Sequence, residues 1–250
     1  MAGHSKWNNI KRKKGAADAA RAKIYTKLGR EIQVAVRAGG PDPNINRPLR
    51  DVIAKARSQN MPNDNIERSI RRAAGAMDTS DFEEIRYEGY GPAGVAFIVR
   101  TLTDNRNRTA GDVRHAFDRH GGNLGTTGCV SFMFQERGIL VLDDPGNGEE
   151  IDAEVLMMEA IEAGAEDFED DEGTYVIYTV PEDFADVLET LEASGWRFAE
   201  AAVRPTPDSW IDVDDADVVE QLNRLIDRLD DNDDVQDVWH NWNRPDDDEE

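Results

Sequence analysis

The chain has 250 residues, long enough for one to three buried cores, with 39% hydrophobic residues, 32% charged residues and a formal net charge of -23. It holds no apolar run of about eighteen residues, which excludes a membrane-spanning helix, and the opening Met1-Ala2-Gly3-His4-Ser5-Lys6-Trp7 lacks the apolar region of a secretory signal. Cys129 is the one cysteine, so no internal disulfide forms, as befits a reducing, cytoplasmic setting.

The charge is unevenly divided. Residues 1–75 hold 17 Lys+Arg and 6 Asp+Glu, net +11, whereas residues 76–250 hold 12 and 46, net -34. A polyanion is attracted to one end of such a chain and repelled by the rest, which fixes its orientation. No lysine follows Lys55. An acid-rich proteome, as in a salt-loving host, is the alternative account of that acidity. At 1 M salt the Debye length falls to about 3 Å and counterion release weakens phosphate binding, so basic residues there act by direct hydrogen bonds.

Residues 1–15 are polar and basic without a clean period and read as an arm that is mobile until bound. Residues 16–38 read as a helix with Ala20, Ile24, Leu28, Ile32, Ala35 and Val36 on one face and Lys23, Lys27, Arg30 and Arg37 in a stripe opposite. Gly39-Gly40-Pro41 ends it. Leu49, Val52, Ile53 and Ala56 follow the spacing of a second helix, with Arg50 and Arg57 off its apolar face. Asp64 and Glu67 have capping-box spacing for a third, which buries Ile66 and Ile70, displays Arg68, Arg71 and Arg72, and stops near Gly75.

After a linker at 76–82 the period changes. Strands are expected at 95–99, 130–134, 138–142, near 165–169, 174–180, 196–204 and 209–213, and at 235–239; helices at 109–120, 151–163, 182–194 and 215–230. The fold class is therefore α+β: an amino-terminal helical bundle followed by two small α+β sandwich domains with antiparallel sheets. The expected division is a basic helical domain at 1–75, a discontinuous α+β domain at 83–135 plus 203–240, an inserted α+β domain at 136–202, and an acidic disordered tail at 241–250.

The strongest chemical signal lies in residues 4–14, where Lys6, Lys11, Arg12, Lys13 and Lys14 surround Trp7, Asn8 and Asn9. Lys and Arg neutralise phosphates, Asn bonds phosphate or base edges, and Trp7 can stack on an exposed base. The competing reading is a solvated arm with Trp7 packed on its own bundle. Asn105, Arg106 and Arg108 cluster in a strand-to-helix loop, a geometry that favours an anion, unless the loop merely caps its helix. Gly89-Tyr90-Gly91-Pro92-Ala93-Gly94 spells G-x-G-x-x-G, but a strand follows it and Pro92 lacks an N–H, so it reads as a tight turn rather than a dinucleotide site. His115 and His120 lie five apart, on different faces of a helix, and the acidic clusters lack the calcium-loop pattern; no metal site, cofactor, small-molecule substrate or catalytic constellation is expected.

His4-Ser5-Lys6-Trp7, Asn9-Ile10-Lys11, Ile24-Tyr25-Thr26-Lys27-Leu28, Asn60-Met61-Pro62 with Asp64-Asn65-Ile66-Glu67-Arg68, Tyr87-Glu88-Gly89-Tyr90-Gly91-Pro92, 102–109, 113–117, 121–126 and 234–238 together resemble the YebC family. That family includes the mitochondrial translational activator of cytochrome oxidase subunit one, and the resemblance covers residues 1 to about 240. Asn8 and Asn63 depart from its usual residues, and the carboxyl half is more acidic than usual. The resemblance implies three domains, no enzymatic activity, and a nucleic-acid-binding regulator of gene expression, described for the family as a DNA-binding transcriptional regulatory protein. Other members act in translation, on the ribosome or its RNA, including relief of stalling at proline-rich stretches. The family description leans to DNA. The absent helix-turn-helix reader, the aromatic among cations and the acidic body suit RNA, and both targets stay open. The expected contacts are Lys6, Trp7, Asn9, Lys11, Arg12, Lys13, Lys14, Lys23, Lys27, Arg30, Asn105, Arg106 and Arg108.

Overall fold

The computed structural model describes residues 18–75, 82–143, 151–171 and 173–244. These fall into two compact units: one spans 18–130 and 214–240, the other 131–213 and 241–244.

The first unit begins with three helices, α1 (Asp18–Gly39), α2 (Arg47–Ser58) and α3 (Asn63–Ala74). Their core is the apolar face read from the 3.6 period: Leu28, Ile32, Ala35 and Val36 of α1 pack on Leu49, Ile53 and Ala56 of α2 and on Met61 and Ile66. Asn46 joins two helix ends. Its Oδ1 accepts from the Leu49 N–H at 3.1 Å, capping α2, while its Nδ2 donates to the Ala35 and Gly40 carbonyls at 2.8 and 2.7 Å. Gly39 permits that approach, because a Cβ there would lie 2.7 Å from Asn46 Cγ. The capping box expected at α3 does not form: the cap position is Pro62, with no side-chain bond, and Asp64 lies inside the first turn.

The same unit continues into an antiparallel sheet of order β3-β1-β2-β8, built from β1 (Glu83–Tyr90), β2 (Ala96–Thr103), β3 (Asn123–Leu124) and β8 (Val235–His240). Helices α4 (Arg106–Arg119) and α7 (Ala216–Asp230) pack against each other in this unit. The glycine-rich run is the turn of the β1–β2 hairpin, with a 3₁₀ turn at Pro92–Gly94 and β2 straight after. A Cβ at Gly91 would meet Phe97 at 2.6 Å, so close packing explains the glycine better than phosphate binding. Glu88 is buried, and its two oxygens accept from the Gly128 and Val130 N–H groups at 2.9 Å each, holding the loop after β3.

The second unit holds a sheet of order β5-β6-β4-β7: β4 (Phe134–Asp143), β5 (Asp167–Asp171), β6 (Thr174–Thr179) and β7 (Glu200–Pro207). Alternation along β4 sends Leu140 and Leu142 toward α5 (Ala153–Ala163) and α6 (Phe184–Ala193), and Ile139 and Val141 to the opposite face with Val176 and Tyr178. The segment 130–134 is not a separate strand: Ser131–Met133 form a 3₁₀ turn and β4 runs on from Phe134. The strand expected at 196–204 starts later, at Glu200, because Trp196 and Phe198 first pack on the helices. In place of a strand at 209–213 there is a single parallel bridge from Ile211 to Trp242. Trp242 is fully buried, so the chain stays packed into the region read as tail, and only 245–250 of that region lies outside the described residues.

Candidate nucleic-acid interface

Lys6, Trp7, Asn9, Lys11, Arg12, Lys13 and Lys14 lie outside the described residues. The helix behind them is described, and its stripe has a definite neighbour. Lys23 Nζ meets Asp231 Oδ1 at 2.6 Å, Lys27 Nζ donates to the Asp230 carbonyl at 2.9 Å, and Arg30 Nη1 donates to the Asp233 carbonyl at 2.5 Å and to Asp234 Oδ1 at 2.7 Å. The expectation of an outward strip is therefore corrected: these three cations face the chain's own acidic turn at 230–234. The periodicity placed them on one face correctly. What it could not see is that α7 ends and β8 begins beside that face, bringing four aspartates within reach.

Asp234 is the centre of this contact. Its side chain is 5% exposed and its carboxylate also accepts from Thr109 Oγ1 at 2.7 Å, Arg108 Nη2 at 2.8 Å and Thr103 Oγ1 at 3.2 Å. Burial pushes this carboxyl upward, but the hydrogen bonds from Thr109 and Arg108 and the charge of Arg30 prevail and hold it below the ordinary carboxylate range. The anion drawn to the start of α4 is thus an internal one. Asn105 serves as the α4 cap, its Oδ1 accepting from the Arg108 N–H at 3.1 Å, and Arg108 also reaches Asp104 Oδ1 at 2.9 Å. Arg106 is exposed, 3.7 Å from Glu83.

A second set of charges ties the helices to the sheet. Glu31 of α1 is buried and accepts from Lys55 Nζ of α2 at 2.9 and 3.0 Å and from Arg100 Nη2 of β2 at 2.9 Å. Arg100 also bonds Asp237 of β8 through Nε at 2.8 Å. Each partner satisfies what would otherwise be an isolated buried charge.

The described residues form no cluster of three or more His, Cys, Asp and Glu arranged to hold a metal, and no described helix is long and apolar enough to cross a membrane.

Comparison with known proteins identifies the lineage. Residues 5–76 match the TACO1/YebC protein N-terminal domain, and residues 82–242 match the TACO1/YebC second and third domain. The chain belongs to the TACO1/YebC family. A relative from Ruminiclostridium cellulolyticum is 56% identical over 250 residues, covering 100% of both chains, and one from Acetivibrio thermocellus is 54% identical over 242 residues, covering 97% of this chain and 99% of the relative. Both are named probable transcriptional regulatory protein. A solved structure, a conserved hypothetical protein from Aquifex aeolicus, matches with a TM-score of 0.82 at 44% identity, covering 96% of this chain and 98% of that one.

In this TACO1/YebC protein the exposed guanidiniums of the helical domain include Arg50, Arg57 and Arg68, on α2 and α3. Arg50 and Arg57 make no ion pair among the described residues. Their place off the apolar face was legible in the spacing, yet they were not among the expected contacts, because the longer stripe on α1 carried the stronger signal.

Proposed function

We propose that the chain is a nucleic-acid-binding regulator of gene expression, a DNA-binding transcriptional regulatory protein working in the cytoplasm without a catalytic step. The observation that carries this reading is the charge division, 17 cations in the first 75 residues and a net of -34 over the remainder. Its relatives' name, probable transcriptional regulatory protein, supports it. The basic helical domain at 1–75 grips the polyanion. The acidic α+β domains repel it and so restrict contact to one end.

In this reading Lys6, Lys11, Arg12, Lys13 and Lys14 neutralise phosphates, Asn9 bonds the backbone or a base edge, and Trp7 stacks on a base. Arg106 contributes from its exposed position. Lys23, Lys27 and Arg30 join only where phosphates displace the 230–234 turn, and Asn105 and Arg108 act by holding the start of α4. The test is binding of the full chain to promoter duplexes and to ribosomes at matched salt, with Lys11, Arg12, Lys13 and Lys14 together replaced by Glu. Each phosphate contact contributes a slope of about 0.7–0.9 in log K against log salt, so loss of four contacts flattens the dependence by roughly 3 units. Binding that survives the four replacements unchanged refutes the map. Association with ribosomes alone transfers the reading to a translation factor on ribosomal RNA.

A further inference from the structure

The acidic remainder of the chain is not uniformly acidic. Beyond residue 75 all 12 cations are arginines, and six of them, Arg106, Arg108, Arg114, Arg119, Arg224 and Arg228, sit on α4 and α7. Those two helices pack against one another, and the turn after α4 abuts α7: a Cβ at Gly121 would lie 2.8 Å from Gln221 Oε1.

At 100° per residue Asp217, Gln221, Arg224 and Arg228 share one edge of α7, Asp217 one turn before Gln221, with Glu220 and Asp227 further round the helix. Asp112, His115 and Arg119 share an edge of α4, Asp112 nearly a turn before His115. His120 stands where the edges meet. Burial, then the charges of Arg119, Arg224, Arg228 and His115, hold its imidazole below the ordinary histidine range. The charges acting on it are thus cations from both helices. Arg119, Arg228 and His115 make no side-chain ion pair or hydrogen bond among the described residues. Arg224 is paired with Glu220, yet its side chain remains 62% exposed.

We propose that the seam formed by His115, Arg119, His120, Gln221, Arg224 and Arg228 is a binding site for phosphate groups. Guanidiniums present paired N–H donors that match two phosphate oxygens, and Gln221 adds an amide donor. The occupant is the backbone of the nucleic acid under the function proposed above, on which this inference partly rests, or a free polyphosphate carrying the same groups. Phosphate in the seam offsets the cations around His120 and raises its affinity for a proton.

The experiment uses the full chain with three probes: a mixed-sequence RNA oligonucleotide, a duplex DNA of equal length, and inorganic polyphosphate. The readouts are the His120 ring titration by NMR and the salt dependence of binding, for the unaltered chain and for Arg119→Ala with Arg228→Ala. Both changes are at exposed positions, and circular dichroism checks that the fold is kept. Saturating ligand is expected to move the His120 titration upward, and the double variant to bind on the order of tenfold more weakly, with a salt slope shallower by about 1.4–1.8. Movement with either oligonucleotide assigns the seam to a nucleic-acid backbone. Movement with polyphosphate alone assigns it to the free ion, and that result persists in the Lys11-to-Lys14 variant even if the arm proves not to bind. A His120 titration unmoved by all three probes overturns the site, whether or not the oligonucleotides bind elsewhere.

Discussion

Replacing Asp234 by Ala removes the acceptor on which Arg30, Arg108, Thr103 and Thr109 converge. The magnitude depends on which donors can find water. Arg108 is 47% exposed and also holds Asp104, so its share is screened and small, up to about 1 kcal/mol. Arg30 is 18% exposed and keeps the Asp233 carbonyl, and Thr103 and Thr109 are buried and keep each other, so the guanidinium loses its counter-charge where water does not replace it. Breaking a buried pair by removing one member costs about 3–5 kcal/mol, and a fall in Tm on the order of 10 °C follows for a unit of this size. Thermal unfolding followed by circular dichroism at neutral pH measures it. The effect also has a pH signature. Because the folded carboxyl sits below its usual range, its stabilisation is complete above the unfolded pKa of about 3.9 and is lost as pH falls through the lower folded value. The difference between the two proteins is therefore constant from neutral pH down to about pH 4 and closes in stronger acid. A loss under about 1 kcal/mol, or a difference that closes well above pH 4, refutes the claim that Asp234 fastens α1 to the sheet.

The neighbouring surface pair behaves differently: Lys23→Ala, whose partner Asp231 is 61% exposed, is expected to cost no more than about 1 kcal/mol, and high salt removes even that, as denaturant melts at two salt levels will show. Asn46→Ala removes the α2 cap and two bonds to carbonyls at the end of α1, an expected loss of about 1–3 kcal/mol in urea unfolding; Asn46→Asp, which keeps only the cap, restores part of it. Glu88→Ala frees the Gly128 and Val130 amides, so their hydrogen exchange accelerates while the β1–β2 ladder stays protected; equal acceleration across that ladder contradicts a local role.

The helices and most strands were determined locally. Period 3.6 through Leu28, Ile32, Leu49 and Ile53, and alternation through Ile139, Leu140 and Val141, are statements about which side chains leave water, and near neighbours in sequence suffice to make them. The charge division was legible for the same reason, since it needs only counting. Tertiary structure decided where charges end up. Lys23 and Asp231 are 208 residues apart and Arg30 and Asp234 are 204 apart, so no spacing rule links them; their meeting depends on β8 pairing with β2 and setting the 230–234 turn beside α1. The Asp64–Glu67 box failed for a related reason: Pro62 fixes the backbone at the entry to α3 and places Asp64 inside the helix. Burying apolar area is close to additive along the chain, whereas a charge's fate depends on which opposite charge folding carries to it.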